Sequence, residues 1–193
     1  MKDYFEENFE IVRKSLKSVD NGTFDRLCSN CVSALKSEGK IIVTGLGKNV
    51  PICEKFAGMM WSLGLNAAFM HTNTAMHGDL GMIQEGDVVI VLSKSGETME
   101  SVYLMEHLKN RDITDWAITF NSQSSLSRAA SNSLSLALEK EGDPWNIVPN
   151  NSTTAYLILL QTLVLNICDK MDVELADFKK NHPGGHIGKV LEK

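Results

Sequence analysis

Three hydroxyls and a glycine fall within six residues in Ser93-Lys94-Ser95-Gly96-Glu97-Thr98, a spacing that can hold an anion. Just ahead lie Val88, Val89, Ile90, Val91 and Leu92, five apolar residues of which four are β-branched, as in a strand buried on both faces. Behind the turn, Val102, Met105 and Leu108 follow a helical period. The hydroxyls therefore fall at a helix N-terminus, where free N–H groups and the positive dipole end favour negative charge, and Gly96 lets the backbone come close. The anion this suits best is a phosphate. The plainer alternative is an ordinary helix cap, with Ser95 as the cap and Thr98 at the third helical position.

Other residues with chemical potential stand at comparable places. Gly45-Leu46-Gly47-Lys48-Asn49 breaks the strand-like run Lys40 to Thr44, and Pro51 follows in the first turn of a helix. A glycine-rich turn between a parallel strand and a helix is where open α/β sheets bind ligands. Two familiar phosphate patterns fail here. A dinucleotide fingerprint would need glycine at Val50, and a P-loop would need glycine at Ile42 and a hydroxyl at Asn49. Lys48 is then either a solvated lysine or a charge aimed into a site at the strand's carboxyl end. Ser152, Thr153 and Thr154 repeat the hydroxyl device ahead of the most apolar helical run, residues 155–168, and are expected to cap it. That run, about 14 residues interrupted by Gln161 and Asn166, is too short and too polar for a membrane span and reads as a core helix.

Metal and redox chemistry find little support. His71 and His77 are six residues apart without acidic or thiol ligands at matching spacing. Cys28 and Cys31 have CxxC spacing, but they share a helical pattern with Phe24, Leu27 and Leu35, which points to burial. No metal and no cofactor is expected.

The chain that must position these groups has 193 residues, enough for one domain that buries roughly 70% of its unfolded surface. A formal charge of −5 without a run of Lys or Arg argues against nucleic acid and against an anionic membrane surface. Acidic residues occupy the N-terminal stretch where a signal peptide would need an apolar core, and four thiols suit a reducing compartment, so a cytoplasmic location is expected.

Phe5, Phe9, Val12 and Leu16 predict an amphipathic helix over residues 3–19, ended by Asn21-Gly22, with a second helix over 23–37. These form a helical segment, 1–38, ahead of an α/β core, 39–193. The stripe on the first helix packs on its own domain or partly on a second subunit. Strands are expected at 40–44, 67–70, 88–92, 115–120 and 134–138, with helices between them. Such alternation predicts a parallel sheet covered on both faces.

With these residues assembled, the sequence resembles the sugar isomerase (SIS) domain and, within it, the arabinose 5-phosphate isomerases. The resemblance rests on Gly45-x-Gly47-Lys48, His77-Gly-Asp-Leu-Gly-Met82, Ser93-x-Ser-Gly-Glu-Thr98, Glu141 ahead of Pro144, Pro149-x-x-Ser-Thr-Thr154 and His182-Pro-Gly-Gly185, in the family's order. It implies a flavodoxin-like three-layer αβα sandwich with a five-stranded parallel sheet, and a homotetramer with sites between subunits. Lys94 stands where the family often has Asn or Gln, Asn49 where it has Ser, and the stretch 143–151, with Trp145 and Asn150-Asn151, also differs. The sequence stops at Lys193, where many relatives continue into a pair of CBS modules, so an isomerase without that module is expected.

Aldose-ketose isomerisation moves a proton between C1 and C2 through an enediol. It needs a base near carbon, a cation or acid for the developing oxyanion, and a group that opens the sugar ring. By resemblance and chemistry together, Glu141 is the expected base with Glu97 as the alternative, Lys48 stabilises the oxyanion, and His182 or His77 opens the ring. Ser93, Lys94, Ser95, Thr98, Ser152 and Thr153 are the expected phosphate ligands. The partner is a phosphorylated sugar, D-arabinose 5-phosphate or D-ribulose 5-phosphate. Another sugar phosphate, or a non-catalytic sugar-phosphate sensor, is the alternative.

Overall fold

The structure is a computed structural model and describes residues 3–191. Two helices come first, α1 (Tyr4–Lys17) and α2 (Asn21–Lys36). Asp3 caps α1, accepting from the N–H groups of Phe5 and Glu6, and Asp20 caps α2, accepting from Thr23 N at 2.8 Å. Asn21-Gly22, expected to end the first helix, instead opens the second. The first helical N–H groups have no intrahelical partner, so residues of low helix propensity cost little there once Asp20 supplies the cap.

The core then alternates: β1 (Ile41–Gly45), α3 (Val50–Ser62), β2 (Ala67–His71), α4 (Thr72–Ala75), β3 (Val88–Leu92), α5 (Met99–Leu108), β4 (Thr114–Thr119), α6 (Ser125–Ala129) and β5 (Asn132–Ser135). The long α7 (Asn151–Lys170) and two short helices, α8 (Leu175–Lys180) and α9 (Gly185–Leu191), follow. The five strands pair in parallel in the order β2-β1-β3-β4-β5. This is the expected α/β sandwich.

Side-chain alternation divides the core between the two faces of the sheet. Ile41, Val43, Ile90, Leu92 and Trp116 point into the larger layer, against α2, α3 and α7, while Ile42, Val89, Val91 and Ala117 meet Leu104, Met105 and Leu108 of α5. All five residues of β3 are buried, as its unbroken apolar run implies. Cys28 and Cys31 are buried free thiols in α2, and burial pushes the Cys31 thiol well above its ordinary range.

Three expectations need correction. The fifth strand lies two residues upstream of its expected start because the Asp115 carboxylate accepts the N–H and hydroxyl of Ser131, both at 2.7 Å, and fixes the register there. α5 begins at Met99, with Thr98 as its cap residue, so the turn before it is longer than expected. α7 has 20 residues and passes for a membrane span by length and hydropathy alone. Its packing decides otherwise. Tyr156, Leu160, Leu163, Val164 and Ile167 are buried against α1, α2 and α3.

Candidate active site

α3, the crossover leaving β1, lies on one face of the sheet, and α5, leaving β3, lies on the other. β1 and β3 are hydrogen-bonded neighbours, so a crevice opens between their carboxyl ends, the place where open α/β sheets receive ligands. Lys48 follows β1 and the Ser93–Thr98 turn follows β3.

The first wall is tight at its base. A Cβ on Gly45 would meet Asn49 Cβ at 2.9 Å and the Leu92 carbonyl at 3.4 Å, so only glycine lets the two strand ends approach this closely. Lys48 sits in a short 3-10 turn, Gly47–Asn49. It is exposed, without an ion-pair or hydrogen-bond partner among the described residues.

The second wall is the hydroxyl turn. Ser93 Oγ accepts Gly96 N at 3.1 Å and lies 3.1 Å from Thr98 Oγ1, while Ser95 Oγ accepts Glu97 N at 3.1 Å. Thus Ser95 does not cap α5. It closes a turn of its own ahead of the helix. Thr119 Oγ1 and Phe120 N donate to the Lys94 carbonyl, and Leu126 N donates to that of Gly96, which ties the turn to β4 and α6. Gly96 has φ 68°, and a Cβ there would fall 2.1 Å from Ser124 Oγ, so neither the conformation nor the space admits another residue.

Glu141 is the centre of the arrangement. Its side chain is 0% exposed, yet four donors reach it: Lys94 Nζ at 2.7 Å and Ser152 Oγ at 2.6 Å on Oε1, and Ser152 N at 2.9 Å and Asn150 N at 3.0 Å on Oε2. Burial pushes the carboxyl pKa up, but the Lys94 ammonium, the Ser152 hydroxyl and the two amides outweigh it and leave it below the ordinary carboxylate range. Glu141 is therefore a buried anion on the N-terminus of α7. The expected cap is corrected accordingly. Thr153 and Thr154 turn their hydroxyls back to the Asn150 carbonyl, both at 2.9 Å, and Ser152 donates to Glu141 rather than accepting from the helix.

This distribution changes the picture of the phosphate ligands. Ser93, Ser95 and Thr98 line one turn, whereas Lys94 and Ser152, expected beside them, direct their donors at Glu141. Thr153 is half-buried and bonded to its own helix start. An open cleft of about 480 Å³ runs past Lys94, Ser95, Glu97, Asn121 and Lys140.

Glu97 serves a neighbouring element. Its Oε1 accepts Ser125 N at 2.9 Å, and hydrogen bonding to Ser125 holds its pKa below the ordinary range. His77 is exposed and lines a second cleft, about 430 Å³, with Thr72, Asn73, Met76, Glu100 and Tyr103. Glu100 was not singled out from the sequence. Its only signal was its place in the first turn of α5, one helical turn from Glu97.

His182 is not brought to this crevice within its own chain. Its ring stacks on Phe178 with centroids 3.9 Å apart, and Nδ1 donates to the Phe178 carbonyl at 2.8 Å. The neighbouring Asn181 reaches the Ser62 carbonyl at the C-terminal end of α3, beside the loop that enters β2. His182 thus lies at the opposite pole of the sheet. No group of three or more His, Cys, Asp or Glu that could hold a metal occurs among the described residues.

Residues 34–166 match the family described as SIS domain. The chain belongs to that family. Among curated relatives it is 35% identical over 187 residues to the arabinose 5-phosphate isomerase KdsD of Francisella tularensis, covering 97% of this chain and 57% of that protein. It is 36% identical over 167 residues to the KdsD of Pseudomonas aeruginosa, covering 86% of this chain and 51% of that protein. The chain thus spans about half the length of the curated relatives it matches. Among solved structures, E. coli CFT073 c3406 in complex with arabinose 5-phosphate superposes with a TM-score of 0.86 at 29% identity, covering 93% of this chain and 94% of that one. The five-stranded parallel sheet is the architecture of this SIS group.

Proposed function

We propose that the chain is an aldose-ketose isomerase of a phosphorylated sugar, interconverting D-arabinose 5-phosphate and D-ribulose 5-phosphate through an enediol. The observation that carries this reading is the juxtaposition, at the β1/β3 crevice, of an anion-suited hydroxyl turn with a buried ionised carboxylate, joined through Lys94. The KdsD relatives and the neighbour bound to arabinose 5-phosphate support the choice of sugar.

In this scheme the phosphate sits on the Ser93, Ser95 and Thr98 hydroxyls, and the sugar chain extends toward Lys48 and the carboxylate. Glu141, kept anionic, takes the proton from carbon, and Lys48 steadies the oxyanion that forms on the neighbouring oxygen. His77, on the rim, or His182, from a neighbouring subunit, opens the furanose ring of the aldose. No cofactor takes part.

The assembly is proposed as a homotetramer. The rings of Phe5 and Phe9 meet at a tilt, with centroids 5.0 Å apart, on the outer face of α1, yet remain 68% and 63% exposed, and a second copy would cover them. His182, remote from its own crevice, is then available to another chain's. Four cysteines, all free, fit a reducing cytoplasm.

A sensor that binds the sugar phosphate without turnover is the second reading, favoured by the full hydrogen bonding of Glu141, which resembles a structural cap. Incubating the protein with arabinose 5-phosphate in heavy water separates the two. The isomerase incorporates deuterium at C2 and forms ribulose 5-phosphate, both visible by NMR. A protein that binds but exchanges no proton is a sensor.

A further inference from the structure

Lys94 is carried by the turn proposed to hold phosphate, with Ser93 and Ser95 on either side, and its ammonium lies 2.7 Å from Glu141 Oε1. The pair is asymmetric. Glu141 is sealed from solvent, while the Lys94 side chain is 41% exposed along the cleft that also passes Ser95, Asn121 and Lys140. One face of the ammonium is therefore given to the carboxylate and the other is open on the side where a phosphate would lie.

Resting on the isomerase reading, we propose that Lys94 couples the two halves of the site. It clamps Glu141 as a quiescent anion while the turn is empty, and it shifts toward the phosphate when the turn is filled, releasing the carboxylate to act as a base. An ammonium shared with a dianion neutralises a carboxylate less than one held by it alone. The carboxylate's proton affinity then rises when a substrate is present to supply the proton.

The other groups around Glu141 leave this role to Lys94. Tyr156, on α7, donates its hydroxyl to the Ile118 carbonyl, and burial pushes its pKa well up, so it faces Glu141 as a neutral group. Cys53 of α3, near that ring, is kept neutral by burial. Asn150 and Ser152 are uncharged donors, Asn146 accepts the Glu141 N–H through its amide oxygen, and Lys140, next in sequence, pairs with Glu7 of α1.

The test follows the Glu141 carboxyl carbon by NMR in protein labelled at glutamate, with Glu141→Gln assigning the signal. Titrations are run with and without saturating inorganic phosphate, using the amides of Ser95 and Gly96 to report occupancy of the turn. In the wild type the carboxyl should titrate below the ordinary glutamate range when the turn is empty and at clearly higher pH when it is filled. Lys94→Gln should raise the empty-turn value and shrink the response to phosphate. Lys94→Arg should restore both. With arabinose 5-phosphate as substrate, Lys94→Gln should lower kcat/KM by on the order of tenfold, the effect of losing one hydrogen bond to a charged group. The acid limb of its pH profile should move upward. The substrate's own phosphate ionisation is common to both proteins and cancels in the comparison. Phosphate that occupies the turn without moving the Glu141 titration would overturn the coupling and leave the isomerase standing. Coupling without isomerisation of any pentose phosphate would overturn the isomerase alone. A turn that takes no phosphate, or a wild-type Glu141 already titrating in the ordinary range, defeats the proposal outright.

Discussion

Glu97 Oε1 accepts the backbone N–H of Ser125 at 2.9 Å, so this carboxylate caps α6 across the turn, while Glu141 caps α7 from the other side. The two candidate bases are both caps, but they differ in setting. Glu97 is exposed and Glu141 is sealed. The Glu97→Gln amide oxygen can still accept from Ser125, so turnover should stay within a few-fold of wild type. Glu141→Gln keeps the size of the side chain but cannot take a proton from carbon, and should lose at least the ~10²-fold typical of a missing general base. Deuterium exchange into arabinose 5-phosphate measures both. If Glu97→Gln shows the large loss and Glu141→Gln the mild one, the assignments are reversed.

Because the pKa of Glu141 is lowered in the folded chain, its sign in acid unfolding is fixed. A carboxyl depressed below its unfolded value of about 4.3 contributes stability that is present in full above that pH and is lost as pH falls through the folded value. Urea midpoints should accordingly fall more steeply below about pH 4.3 in the wild type than in Glu141→Gln. At pH 7, Glu141→Ala, which strands Lys94, Ser152 and two amides, should cost about 3 kcal/mol, the low end for breaking a buried pair because Lys94 can return to water. Equal acid sensitivity in the two proteins would remove Glu141 from the account of acid unfolding.

Gly96→Ala tests whether the turn is built as rigidly as it looks. Its φ of 68° costs an L-residue roughly 1 to 2 kcal/mol, and the added methyl would collide with Ser124, which is buried and caps α6 through Ser127 N at 3.2 Å. A loss of at least about 2 kcal/mol in urea unfolding is expected, with KM for the sugar phosphate raised as the hydroxyls splay. A variant with unchanged stability and KM would show that the turn relaxes freely.

What could be read from the sequence was what repeats locally. The apolar run Val88 to Leu92, the glycine turns at 45–47 and 96, and the helical periods announced a parallel sheet and its ligand-binding end. The role of Glu141 could not be read so fully. Its importance came from resemblance, but its capping of α7 spans an irregular loop, and no periodicity links residue 141 to 150 and 152. Lys94 looked like a phosphate ligand because it stands between two serines, and only the fold shows its ammonium turned to a carboxylate 47 residues away. The start of β5 was missed for a similar reason. Asp115 sets it from a neighbouring strand, overriding the apolar residues 136 and 138 that suggested a later start.

The fold places His182 at the pole opposite Lys48. If catalysis needs both groups, a site assembled from one chain cannot supply them, and residues of two subunits must meet. Lys48→Ala and His182→Ala should each be nearly inactive as pure proteins. Mixing them under conditions that let subunits exchange then creates contacts in which the intact Lys48 of one chain faces the intact His182 of another, and a fraction of the activity returns. The stacking of His182 on Phe178 and its hydrogen bond to the Phe178 carbonyl leave Nε2 free for such a role, because the carbonyl has no proton to give and Nδ1 must be the donor. A structural histidine predicts another pattern. His182→Ala would then lose stability in urea more than turnover, and mixing with Lys48→Ala would restore nothing beyond the sum of the two. Light scattering on each mixture checks that exchange produced mixed oligomers, and a wild-type protein that is monomeric and fully active would end the two-subunit site.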